Sequence, residues 1–116
     1  MTSRTILLVE DETAIRRLIT ITLEGAGYHV IEARSGTEAL QLFGPQIDLL
    51  LTDLRLPYLQ GEQLIARLRQ RRATLKVLAM SGFSVSAPLT VPFLQKPFAR
   101  ADLLSAVRGV LDGDRC

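Results

Sequence analysis

The stretch Ile47-Asp48-Leu49-Leu50-Leu51-Thr52-Asp53 decides the fold. From Ile47 to Thr52 every residue is apolar except Asp48 and Thr52. A strand wetted on one face alternates polar and apolar residues. A near-continuous apolar run is expected of a central parallel strand covered on both faces. Working outward, short apolar runs recur, each followed by an amphipathic stretch. Thr5–Val9 reads as a buried strand. Ala14–Ala26 reads as a helix with Ile15, Leu18, Ile19, Leu23 and Ala26 on one face, ended by Gly25 and Gly27. His29–Ala33 is a second strand, and His29, with no second histidine to pair with, reads as a strand-edge residue rather than a ligand. Ser35 caps a helix running to Phe43, and Gly44-Pro45 stops it. Pro57–Gly61 is a turn. Glu62–Arg72 is a helix with Leu64, Ile65 and Leu68 inward. Lys76–Met80 and Phe93–Gln95 are the fourth and fifth strands. Arg100–Leu111 is the last helix, with Leu103, Leu104, Val107 and Leu111 inward.

Strand followed by helix, repeated, implies right-handed crossovers and a parallel sheet. A chain of 116 residues, 47% of them hydrophobic, suits one domain over residues 1–116 with a core that needs no staples. The one cysteine, Cys116, has no partner for an internal disulfide, which points to a reducing, cytoplasmic setting. No apolar run approaches the roughly 20 residues of a membrane span, and no signal-peptide core follows Met1–Arg4. Net charge is +2, and Arg67, Arg69, Arg71 and Arg72 form the densest basic cluster. They read as a solvated helix end, where cations complement the helix dipole. With no nucleic-acid module and no interleaved aromatics, neither direct nucleic-acid contact nor a membrane partner is expected.

Ligands of open parallel sheets bind beyond the carboxyl ends of the strands, at the switch point. Glu10 and Asp11 follow the first strand, Asp53 ends the third, Ser81 follows the fourth and Lys96 the fifth. Taken singly, each has a plain reading: acids favour a helix N-terminus, and Ser81-Gly82 and Lys96-Pro97 are ordinary loop residues. Together they place three carboxylates, a hydroxyl and an ammonium at one edge of the sheet. Magnesium takes oxygen ligands and keeps several waters. Asp11 and Asp53 suit direct ligation, and Glu10 suits a coordinated water. A carboxylate is also a nucleophile toward phosphorus, giving an acyl phosphate. A divalent cation and an ammonium such as Lys96 offset the repulsion between the two anions. Ser81 suits a hydroxyl donor to a phosphoryl oxygen, and Gly82 leaves the approach open.

At these residues the chain resembles the receiver domain of two-component response regulators. The matching pieces are Ile6-Leu7-Leu8-Val9-Glu10-Asp11-Glu12, Asp48 through Pro57, Gly61, Met80-Ser81-Gly82-Phe83 and Lys96-Pro97-Phe98, in order along the whole chain. The resemblance implies a flavodoxin-like, doubly wound, five-stranded parallel sheet of order 2-1-3-4-5 with helices on both faces. It implies that Asp53 is the phospho-acceptor, that Asp11 binds Mg2+ directly and Glu10 through water, and that the backbone carbonyl of Arg55 is a further ligand. Ser81 is then the switch hydroxyl, Lys96 pairs with the phosphoryl group, Phe93 is the aromatic switch and the Lys96–Pro97 bond is cis. The implied partner is a histidine kinase or histidine phosphotransfer protein, and the implied activity is phosphoryl acceptance with slow autodephosphorylation rather than turnover of a separate substrate. Arg55 and Phe83, each two positions past a site residue, are expected to tune phosphoryl lifetime.

One departure stands out. Ser81 and Lys96 are 15 positions apart, about seven fewer than is usual in the family, or roughly two helical turns. Ser84–Val91 also contains Pro88 and runs into Pro92, and proline inside a helix costs about 3 kcal/mol. The helix between the fourth and fifth strands is therefore expected to be short or missing, which argues against a dimer built on it. The pieces around Met80–Phe83 and Phe93–Phe98 look most like receivers of hybrid histidine kinases. Three alternatives remain. A haloacid-dehalogenase-like phosphatase needs a second Asp where Arg55 stands. A nucleotide-binding domain needs glycines where Glu10 and Asp11 stand. A docking module could keep the receiver fold without being phosphorylated.

Overall fold

The computed structural model describes residues 3–82 and 91–113. Among the described residues five parallel strands form one sheet: β1 (Thr5–Val9), β2 (His29–Ala33), β3 (Leu49–Asp53), β4 (Lys76–Ser81) and β5 (Phe93–Gln95), in the order β2-β1-β3-β4-β5. Four helices accompany them: α1 (Thr13–Gly25), α2 (Gly36–Leu42), α3 (Gly61–Arg71) and α4 (Arg100–Asp112). This is the doubly wound flavodoxin-like arrangement expected from the sequence. The expected loss of a helix before β5 falls on residues 83–90, outside the described residues, as does Phe83.

The side-chain alternation of the strands explains the two-sided architecture. Leu7 and Val9 of β1, Leu50 of β3, and Val77 and Ala79 of β4 face one core, closed by Leu64, Ile65 and Leu68 of α3 and Ala39 of α2. Ile6 and Leu8, Leu49 and Leu51, and Leu78 and Met80 face the other, closed by Ile19 and Leu23 of α1 and Leu103, Val107 and Leu111 of α4. Leu49, Leu50 and Leu51 are fully buried, as a central strand requires. β3 begins two residues later than the sequence suggested. Ile47 is buried ahead of it, and the Asp48 carboxylate accepts a hydrogen bond from the Thr5 amide at 2.7 Å, so Asp48 is spent on pinning the start of β1.

α1 departs from the sequence reading. Ile19 and Leu23 are buried as expected, but Leu18 is 51% exposed and Ala26 lies beyond the helix at the surface. The helix is turned so that Arg16, Ile19, Thr20 and Leu23 form its inner row. Apolar residues surround much of this helix, so spacing alone fits more than one face. Ser35 does cap α2: its Oγ accepts from the Glu38 amide at 3.1 Å, while the Glu38 carboxylate accepts from the Arg34 amide at 2.6 Å.

Three members of the basic cluster at the end of α3, Arg69, Arg71 and Arg72, bind the chain itself. Arg72 donates to the carbonyl oxygens of Ile47 and Gly44 at 2.6 and 3.0 Å and lies over the Phe43 ring. Arg71 donates to Leu40 and Arg69 to Leu75. Lys76 donates to Leu111 at the end of α4. These contacts staple the loops at the amino ends of the strands.

At the opposite edge the turn between β3 and α3 is tightly constrained. A Cβ on Gly61 would run into the Asp53 carbonyl oxygen and Leu54 Cα. Tyr58 has φ 69° with its side chain 95% exposed, a backbone conformation that costs a side-chain-bearing residue about 1–2 kcal/mol. Thermal unfolding should therefore show Gly61→Ala destabilised by about 2 kcal/mol or more. Tyr58→Asn should be stabilised by about 1 kcal/mol, because asparagine tolerates this region.

Candidate functional site

Parallel pairing brings the candidate residues together. Val9 pairs with Thr52, so Glu10 and Asp53 emerge side by side at the switch point between β1 and β3. Asp53 pairs with Met80, which sets Ser81 as the next residue out on β4. Ser81 pairs with Gln95, and the Lys96 amide donates to the Ser81 carbonyl oxygen at 2.8 Å. The Lys96–Pro97 peptide is cis.

The Lys96 ammonium donates to Glu10 Oε1 and to Asp53 Oδ2, each at 2.6 Å. Both carboxylates are buried, Glu10 at 1% and Asp53 at 6% exposure, whereas Asp11 is exposed. The rest of each buried carboxylate is also engaged: Glu10 Oε2 accepts from the Glu12 amide at 3.1 Å, and Asp53 Oδ1 from the Arg55 amide at 2.9 Å. Burial is the largest influence on Glu10 and carries its carboxyl above the usual glutamate value, while the Lys96 hydrogen bond works the other way. For Lys96 burial is again the largest single influence and opposes the charge. The hydrogen bonds to Asp53 and Glu10 and their negative charges together outweigh it, so the ammonium sits above the ordinary lysine value.

One ammonium faces three carboxylates here. A carboxylate oxygen from each of Glu10, Asp11 and Asp53 lies within 4.8 Å of the others. Neighbouring oxygens around an octahedral magnesium stand about 3 Å apart and opposite ones about 4 Å. An all-oxygen, anionic set of this span suits a hard divalent cation. Ser81 is buried at the end of β4, and Phe93 is half-buried at the start of β5, packed against the core on the α2/α3 side. Arg55 is exposed at the rim. Beside Lys96 and Gly82 a largely apolar hollow of about 380 Å³ opens between α1 and α4, lined by Ile15, Leu18, Pro97 and Phe98 among others. It accounts for the exposed position of Leu18.

Sequence reasoning missed one residue that touches this site. Arg16 is buried, and it donates from Nη1 to the Glu10 carbonyl oxygen and from Nε to Glu32 Oε1, both at 2.9 Å. The available signal was its spacing: it stands three and seven residues before Ile19 and Leu23, in their row.

Comparison with known proteins agrees with this geometry. Residues 6–108 match the response regulator receiver domain family, and the chain belongs to it. It is 34% identical over 120 residues to the sensor kinase CckA of Brucella abortus, covering 95% of this chain but 13% of that protein. It is 33% identical over 114 residues to the response regulator receiver protein CpdR of the same organism, covering 91% of this chain and 95% of that one. The crystal structure of the receiver domain from hybrid histidine kinase CckA superposes with a TM-score of 0.82 at 35% identity, covering 92% of this chain and 98% of that one. The crystal structure of response regulator protein TrrA from Thermotoga maritima in complex with Mg2+–BeF superposes with a TM-score of 0.84 at 26% identity, covering 92% of this chain and 98% of that one. No helix among the described residues is long and apolar enough to cross a membrane.

In metal-free buffer the raised value of Glu10 gives a definite sign. A carboxyl whose folded-state value is raised favours folding below its unfolded value, about 4.3, and that contribution is lost as pH rises through the folded value. Melting curves of wild type and Glu10→Gln across this range should show wild type losing stability relative to the variant as pH rises.

Proposed function

We propose that the chain, acting as one receiver unit over residues 1–116, accepts a phosphoryl group on Asp53 from a phosphohistidine of a histidine kinase or histidine phosphotransfer protein, in a two-component phosphorelay in the cytoplasm. The observation that carries this reading is the Lys96 ammonium bridging Asp53 and Glu10 at 2.6 Å beside a three-carboxylate cluster. Asp53 Oδ1 or Oδ2 attacks phosphorus as the histidine nitrogen–phosphorus bond breaks. The imidazole leaves with the electron pair and an aspartyl phosphate remains.

Asp11, Asp53 and the Arg55 carbonyl would hold Mg2+ directly, and Glu10 through a water. When bound, the ion supplies positive charge to the transferred phosphoryl oxygens. The protein's own residues do the rest. Lys96 exchanges its contact with Asp53 Oδ2 for one with a phosphoryl oxygen, and Glu10 keeps its ammonium close. The Ser81 hydroxyl donates to another phosphoryl oxygen, and Phe93 turns inward beside it. The apolar hollow next to Lys96, with Leu18 exposed on its wall, offers a seat for the helix that carries the donor histidine. Water attacking the aspartyl phosphate ends the signal slowly, with Arg55 at the rim of its approach.

Intact-mass measurement after incubation with Mg2+ and acetyl phosphate should show one phosphoryl gain on wild type. The gain should vanish in Asp53→Asn and without Mg2+. No gain on folded wild type would leave a docking module that keeps the receiver fold without its chemistry. In the same assay Lys96→Met should react about a hundredfold more slowly, the scale of removing one preorganised transition-state donor, with its melting curve showing that it is folded.

A further inference from the structure

Arg16 occupies an unusual place for a cation. It lies in the first turn of α1, where the helix dipole disfavours a cation. It is 7% exposed, in the row that Ile19 and Leu23 fill with apolar side chains. An apolar side chain there would avoid desolvating a guanidinium but would take the donor away from the Glu10 carbonyl oxygen and from Glu32, so a structural and a positioning role are separated only by the magnesium readout. What the arginine does supply is geometric. Its planar fork holds two acceptors on two strands at once: the Glu10 carbonyl oxygen at the end of β1 through Nη1, and Glu32 Oε1 on β2 through Nε, both at 2.9 Å.

The contact with Glu10 completes a set. The Glu10 amide donates to the Ala33 carbonyl oxygen at 3.1 Å. Its carboxylate accepts from the Glu12 amide and from Lys96. Its carbonyl oxygen accepts from Arg16. A continuous polar chain therefore runs across the sheet from Glu32 through Arg16, Glu10 and Lys96 to Asp53.

We infer that Arg16, held by Glu32, is a positioning residue for magnesium. It fixes the backbone of Glu10, and so sets the direction of the carboxylates that follow β1, without touching the ion or the phosphoryl group. The inference rests on the proposal that Glu10, Asp11 and Asp53 bind Mg2+. Groups that orient ligating carboxylates from outside typically change metal affinity by tenfold or more when removed. Such a role predicts a defect in affinity that excess metal repairs, whereas a merely structural staple would lower the melting temperature alone.

The test is a magnesium titration followed by amide NMR shifts on the full chain, with phosphorylation by acetyl phosphate at low and saturating Mg2+ alongside. Arg16→Met should weaken Mg2+ binding about tenfold and regain wild-type phosphorylation rate at saturating metal. Arg16→Lys, which reaches one acceptor but not both, should fall between. Glu32→Gln, at a half-buried position on the edge strand, should weaken binding less than Arg16→Met and carries the test if that variant does not fold. Unchanged Mg2+ affinity in these variants, with wild type binding normally, would overturn the role of Arg16 alone. A wild type that binds no Mg2+ would overturn the proposed function and this inference with it.

Discussion

The Lys96 ammonium shared between Glu10 and Asp53 is the constraint around which the rest of the molecule is arranged. Two buried carboxylates cannot share a crevice without a counter-charge, since desolvation and mutual repulsion both push against ionisation. The cation that meets them comes from the far end of the chain, 43 residues beyond Asp53 and 86 beyond Glu10 in sequence. Bringing three strand ends to one point demands parallel strands in register, with β1 beside β3 and β4 between β3 and β5. Parallel strands demand crossovers over the faces of the sheet, and crossovers on both faces demand strands that are apolar on both sides. The leucines of β3 are thus tied to the chemistry at its tip: they make the sheet that makes the ion pair.

The same logic shows why the sequence was so readable at the sheet and so much less readable around it. Leu49, Leu50 and Leu51 have no competing interpretation, because a continuous apolar run needs two covers. The strand ends then fix where polar residues converge, whatever the intervening helices do. α1 is different. Its apolar residues wrap far enough round that the inner face is chosen by tertiary packing, and the structure chose the row containing an arginine. Leu18 was left to the hollow beside α4. A charged residue is read as a surface residue by default, so the spacing that puts Arg16 in the row of Ile19 and Leu23 gains meaning only once its two acceptors are known. Tyr58 is hidden for a similar reason: a positive φ is ordinarily announced by glycine or asparagine, and a tyrosine announces nothing. Gly61, by contrast, has a clear physical cause once the approach of α3 to the Asp53 backbone is seen.

The boundary differences are small but informative. Asp48 reads as an interruption of a strand, yet its carboxylate anchors the Thr5 amide and belongs to the approach to β3 rather than to the strand. Ser81 ends β4 from within rather than following it, as Asp53 ends β3, which leaves both side chains largely shielded. The backbone that carries this hydroxyl and this carboxylate is held by the sheet itself.

The arginines of α3 give the sheet two unlike ends. At the amino ends of the strands Arg69, Arg71, Arg72 and Lys76 reach backbone carbonyls across α2, the approach to β3, the approach to β4 and the end of α4. At the carboxyl ends the polar groups are gathered around exchangeable partners. The molecule is built like a vise with one fixed jaw: the amino edge is held by side chains bonded to its own backbone carbonyls, and the ionisable groups that meet one another stand at the other edge. Arg69, Arg71 and Arg72, which read from sequence as a solvated helix end, are part of that fixed jaw.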